Sequence, residues 1–117
     1  MYSAVAQKSR NRTNPYLIND IMESSQEKLL LKLYDFAITN CRRKNIEKTN
    51  KALNELIFGL RFDNEEVEKI STGLFQLYNY CKDEMRKRNF EIVEKILTEL
   101  KESWVEIFTK EKSKISE

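Results

Sequence analysis

Residues 65–88 read EEVEKISTGLFQLYNYCKDEMRKR. Val67, Ile70, Leu74, Leu77, Cys81 and Met85 recur at three- and four-residue intervals with one late slip, which is the apolar stripe of an amphipathic helix. Asp63-Asn64 reads as a turn and cap before it, Glu65 and Glu66 fill its first turn, and Arg86-Lys87-Arg88 with Asn89 close it. The charges at both ends complement the helix dipole, so the stretch marks its own limits. It is the third of four such segments.

Downstream, residues 90–110 place Val93, Leu97, Leu100, Trp104 and Ile107 at alternating four and three spacing, and the charged run Lys110-Glu111-Lys112-Ser113-Lys114 predicts a frayed end. Upstream, residues 46–62 carry Ile46, Leu53, Leu56, Ile57 and Leu60 on one face. Before that, Ser24 and Glu27 form a capping box in front of Leu29, opening a helix that runs to about residue 44, where Asn45 breaks it. Residues 1 to about 14 are polar and basic without periodicity, and Tyr16-Leu17-Ile18 with Ile21-Met22 suits a turn or two of helix docked on something larger. The expected organisation is a flexible arm and cap segment over residues 1–23, a bundle over 24–112 and a frayed tail over 113–117. Connections of a few residues between antiparallel neighbours give an all-α fold: an antiparallel up-down four-helix bundle with a short N-terminal apolar arm or cap helix.

Composition removes most chemistry. The chain has no histidine, which excludes His-based triads and the commonest transition-metal ligand. Two glycines and one proline in 117 residues cannot supply the turns of a sandwich or barrel, or a phosphate-cradling loop. Cys41 and Cys81 match no metal or redox spacing and fall at apolar helical positions, so buried reduced thiols are expected ahead of a disulfide. Leu29-Leu30-Leu31 is the longest strongly apolar run, which rules out membrane insertion, and no secretory leader is legible, so the expected location is cytoplasmic. A net charge of +2 argues against a duplex-coating protein, and no nucleic-acid partner is expected. Among the carboxylates, Asp35 and Glu84 come closest to an apolar face and read as flank charges. Arg86-Lys87-Arg88 is a dense basic cluster outside the arm; the helix dipole accounts for it, with an acidic partner as the lesser reading. No cofactor, metal or catalytic residue is expected, and the chain does not read as an enzyme.

Apolar surface is in excess. A bundle helix needs a stripe of about 100° or somewhat more, yet the apolar residues of the first helix from Leu29 to Cys41 cover about 220°. Phe58 and Phe62 form an i,i+4 aromatic pair roughly opposite the core face of the second helix, and Phe75 and Tyr80 sit on opposite flanks of the third. Tyr34, Tyr78 and Tyr80 combine an apolar ring with a hydroxyl, which suits half-buried groove walls. Leu31, Tyr34, Ile38, Phe58, Phe62, Phe75, Tyr78 and Tyr80 are therefore the candidate walls of inter-helix grooves that hold an amphipathic or extended peptide.

Three short blocks lie in order on these helices: Leu33-Tyr34-Asp35-x-Ala37-Ile38, then Leu77-Tyr78-x-Tyr80, then Leu97-x-x-Leu100-x-x-x-Trp104. Tyr16, Ile21, Ser25 and Leu29 precede the first. In these residues, from Tyr16 to Phe108, the chain resembles the flagellin export chaperones of the FliS family. It departs from them in having Gln26 where a proline is usual, and in a first hairpin about two turns shorter on each side of Asn45, a loss that keeps heptad phase. The resemblance implies a helical bundle that binds the disordered C-terminal segment of flagellin, prevents premature polymerisation and aids delivery to the flagellar type III export gate. It implies a movable N-terminal cap, a role that falls here to Tyr16, Leu17, Ile21 and Met22. A homodimer of the client-free chain is a further expectation. The competing reading is a helical adaptor that keeps the bundle and binds a different amphipathic segment.

Overall fold

The computed structural model describes residues 25–116. They form α1 (Ser25–Arg42), α2 (Ile46–Phe58), α3 (Glu65–Arg86) and α4 (Phe90–Ser116), with no strand among the described residues. Ser24 of the capping box and the cap residues Tyr16, Leu17, Ile21 and Met22 lie outside them. Each helix packs against two neighbours, α1 on α2 and α4, and α3 on α2 and α4. Ion pairs Arg42–Glu94 and Asp35–Lys101 climb α1 while descending α4, so the first and last helices run antiparallel and close the bundle.

The ends of the helices follow from local chemistry. Asn45 and Asn64 cap α2 and α3: each side-chain oxygen accepts from the backbone N–H three residues on, Lys48 and Val67, at 3.0 Å. Helix α1 stops because Lys44 turns left-handed at φ 61°, with its N–H bonded to Cys41 O and the Asn45 N–H to Asn40 O. Helix α3 stops in the same way at Arg88, φ 66°, with the Arg88 N–H on Met85 O and the Asn89 N–H on Glu84 O. Both are Schellman closures with a long cation at the position glycine usually holds.

The core runs through Tyr34, Ala37, Ile38, Cys41, Leu53, Leu56, Tyr78, Cys81, Met85, Val93 and Leu97. On α3 the buried stripe is Ser71, Tyr78, Cys81 and Met85, with Val67 and Leu74 half-buried on the same line. That is an unbroken four-three alternation, whereas the expected stripe needed a slip and included Ile70, which is 61% exposed. On α4 the stripe ends on Phe108, stacked on Trp104 at 5.7 Å between ring centroids, and the expected Ile107 is exposed. The helix continues to Ser116, into the residues 113–117 read as a frayed tail.

Two further expectations are corrected. Helix α2 ends at Phe58 instead of running to residue 62. The Gly59 N–H still reaches Glu55 O, Leu60 tightens onto Ile57 O, and Arg61 O is then taken by the Ser71 hydroxyl, which draws the chain across to α3. Phe62 therefore sits in the connection, and it forms no helical i,i+4 pair with Phe58. Glu84, read as a flank charge, is buried; Asn89 Nδ2 donates to it at 2.7 Å and Lys87 Nζ lies 3.6 Å away. The charge is accommodated because it is both hydrogen-bonded and paired. Cys41 and Cys81 are free and buried.

Candidate functional site

The grooves are built from the two flanks of α3. Ser71 bonds to the α2–α3 connection and Lys82 donates to Asn54 Oδ1 on α2, which fixes the α2-facing flank of α3. Phe75 is four residues beyond Ser71 and seven before Lys82, on the same row. On α2 the matching row is Asn50, Asn54 and Phe58: Asn50 Nδ2 donates to Lys82 O, Asn54 takes the Lys82 ammonium, and Phe58 continues the row to the helix end. Phe58 is 81% exposed, and Phe62 and Phe75 are exposed as well. Three aromatic rings thus border the α2–α3 seam at its far end from the hairpin turns. The seam itself is polar between Asn50, Asn54 and Lys82, and Asn50 Oδ1 is buried with no partner among the described residues.

The opposite flank of α3 carries Ile70, Leu77 and Tyr80, facing α4. Tyr80 and Ile92 line one cavity, which shows that these flanks meet. Ile70 and Ile107, both exposed, leave an aliphatic strip further along the same two helices. Tyr80 is therefore on the other side of α3 from Phe58 and Phe75, and not in one groove with them. Leu31 is half-buried on α1.

Three of the expected walls belong elsewhere. Tyr34 and Tyr78 are 0% and 1% exposed, so they are core residues and not half-buried groove walls. Their rings tilt at 58° with centroids 6.4 Å apart, their hydroxyls share a hydrogen bond of 2.5 Å, and Trp104 Nε1 donates to Tyr34 at 3.1 Å. Such a fully partnered set is how tyrosine and tryptophan enter a core. Burial holds both phenols above their ordinary pKa, so they stay protonated hydrogen-bonding groups. Ile38 is also buried, at the floor of a shallow cavity between α1 and α4 walled by Asp35, Thr39, Arg42, Thr98 and Lys101. Ile70 and Ile107 were missed as surface residues because both satisfied an apolar period. The signal that frees Ile70 is the slip itself, which vanishes once Ser71 and Tyr78 are placed inward.

Among the described residues the two cysteines are the candidate nucleophiles, and both are buried. The thiols are pushed up to about 11 at Cys41 and about 12 at Cys81, chiefly by burial, which makes them poor nucleophiles at neutral pH. Among the described residues no cluster of thiols and carboxylates has metal-binding geometry, and no helix is long and apolar enough to cross a membrane. What the surface offers is non-covalent: aromatic and aliphatic strips on a rigid helical frame.

The family model described as "Flagellar protein FliS" matches residues 8–111. The chain belongs to the FliS family. FliS is a family of flagellar chaperones, not of enzymes, and the all-α four-helix frame and exposed apolar strips fit that role. No match is found among curated proteins or among solved structures. The Leu33–Ile38, Leu77–Tyr80 and Leu97–Trp104 blocks lie within the matched span. The structure shows what three of their aromatic members do: Tyr34, Tyr78 and Trp104 are joined in one hydrogen-bonded set.

Proposed function

We propose that this FliS protein is a cytoplasmic export chaperone that holds the disordered C-terminal segment of flagellin, keeps it from polymerising, and hands it to the flagellar type III export apparatus. The observation that carries the reading is the aromatic border of the α2–α3 seam, where Phe58, Phe62 and Phe75 are all left exposed. Burying a large apolar side chain contributes about 1.5–3 kcal/mol, so three rings and the Ile70–Ile107 strip offset the ordering of a client segment, about 2–5 kcal/mol. Binding of this kind is released without chemistry. Leu31 extends the contact onto α1 in this reading.

The test is a calorimetric titration with flagellin from the same organism, intact and lacking its C-terminal segment. Tight binding by the intact protein alone is expected. Phe58→Glu with Phe75→Glu should weaken it by about tenfold or more, with helicity unchanged because both side chains already face water. Loss of helicity instead would show that the rings are structural. The short α2, 13 residues, favours one competing reading, an adaptor for another helix; binding to neither form of flagellin would transfer the function there.

A further inference from the structure

Because α1–α2 and α3–α4 are hairpins closed at the same end of the bundle, two basic runs distant in sequence meet there: Arg42-Arg43-Lys44 and Arg86-Lys87-Arg88. Three of these cations are engaged, Arg42 with Glu94, Arg86 with Asp83 and Lys87 with Glu84. Arg43, Lys44 and Arg88 form no ion pair among the described residues. The helix dipole explains cations in the last helical turn, and Arg42 and Arg86 already serve it. It does not explain Lys44 and Arg88, which stand one step further on, in left-handed backbone that glycine adopts with less strain. A strained position held by a long cation in both hairpins points to use of the side chain.

Lys44 and Arg88 line the same cavity, together with Tyr80, Phe90 and Ile92. Glu84 in that cavity is taken by Asn89 and Lys87, and Glu91 is the other carboxylate there. With Lys87 counted through its pairing with Glu84, three cations face two carboxylates. Tyr80 and Ile92 beside them are exposed.

We propose that this end of the bundle docks an acidic protein segment bearing apolar side chains: Lys44 and Arg88 hold its carboxylates, and Tyr80 and Ile92 cover its apolar groups. A protein segment fits better than nucleic acid because half the cavity is apolar and two carboxylates within it repel a phosphate backbone. The surface lies the length of α2 from Phe58, about 20 Å for 13 residues at 1.5 Å each. It is therefore free while the aromatic border is covered, and it stands whether or not the client is flagellin.

The test uses the full chain without client and a fluorescein-labelled peptide of glutamates interleaved with leucine and phenylalanine, read by anisotropy. Saturable binding is expected, weakened at least tenfold in the Lys44→Gly, Arg88→Gly variant, which keeps the turns in their preferred residue and should melt no lower than the parent. Lys44→Gln, Arg88→Gln, which keeps side-chain length and removes charge, should weaken it equally. No saturable binding by the parent overturns the proposal, as does undiminished binding by both variants. Tighter binding of a mixed-sequence DNA duplex, or of phosphatidylserine vesicles, would overturn it in favour of those partners.

Discussion

The hydroxyl of Tyr34 is the most connected polar atom of the core. It accepts from Trp104 on α4 and shares a hydrogen bond with Tyr78 on α3, tying three helices at one point. Tyr34→Phe removes the partner of both neighbours, so the buried Tyr78 phenol and the indole N–H of the half-buried Trp104 lose their bonds. A cost of about 1–3 kcal/mol is expected. Tyr78→Phe leaves the Trp104 bond to Tyr34 in place and should cost less. Urea unfolding of the two variants checks the order, and equal losses would mean that the Trp104 bond contributes nothing. The sequence reading took both tyrosines for groove walls because an amphipathic ring suits either place. What decides is whether the hydroxyl finds a partner across the bundle, and a pair 44 residues apart in sequence is invisible to local pattern.

At the scale of elements, hairpin closure is where a substitution has the clearest sign. Lys44 and Arg88 hold left-handed backbone, and replacing either by glycine relieves a strain of about 1 kcal/mol, less what glycine's greater freedom costs in the unfolded chain. Each single variant should therefore melt at or above the parent in a thermal scan; a lower melt would show that the cation stabilises its turn. Helix existence, order and orientation were legible, since each of the four segments carries an apolar period and is set off by a short polar connection. Ends were less so. The expected extension of α2 to Phe62 rested on Leu60 keeping the apolar period, whereas the Ser71 hydroxyl on Arg61 O, a contact between elements, redirects the chain. On α3 the apolar residues alone gave a stripe about one row off, because Ser71 is polar by type yet buried by position. The candidate site inherited both errors. Phe58, Phe62 and Phe75 were correctly placed outside the core, and Tyr34, Ile38 and Tyr78 were not.

The whole molecule responds to pH through groups that keep their protons when folded. Cys41 and Cys81 ordinarily titrate near 9.0, and burial lifts them to about 11 and about 12. Below pH 9 both folded and unfolded thiols are protonated and stability is independent of them. Above it the unfolded chain releases protons that the folded chain retains, so stability falls as pH rises toward the folded values. The buried Tyr34 and Tyr78 add to the fall above pH 10. Urea midpoints measured from neutrality upward should be level to about pH 9 and then decline. A Cys41→Ala, Cys81→Ala variant should show a shallower decline, and an identical one would assign the effect elsewhere. The absence of histidine fits the level region, since no imidazole charges or discharges near neutrality.

Trp104 is the chain's single tryptophan, half-buried on α4, hydrogen-bonded to α1 and stacked on Phe108. Its emission therefore reads one physical event, the meeting of the first and last helices. Opening that seam exposes the indole to water and moves the spectrum to longer wavelength. Excitation absorbed at Tyr34 or Tyr78 passes to the indole only while the bundle is closed. The protein thus carries its own optical gauge of closure, so folding and unfolding can be followed in real time with no dye attached.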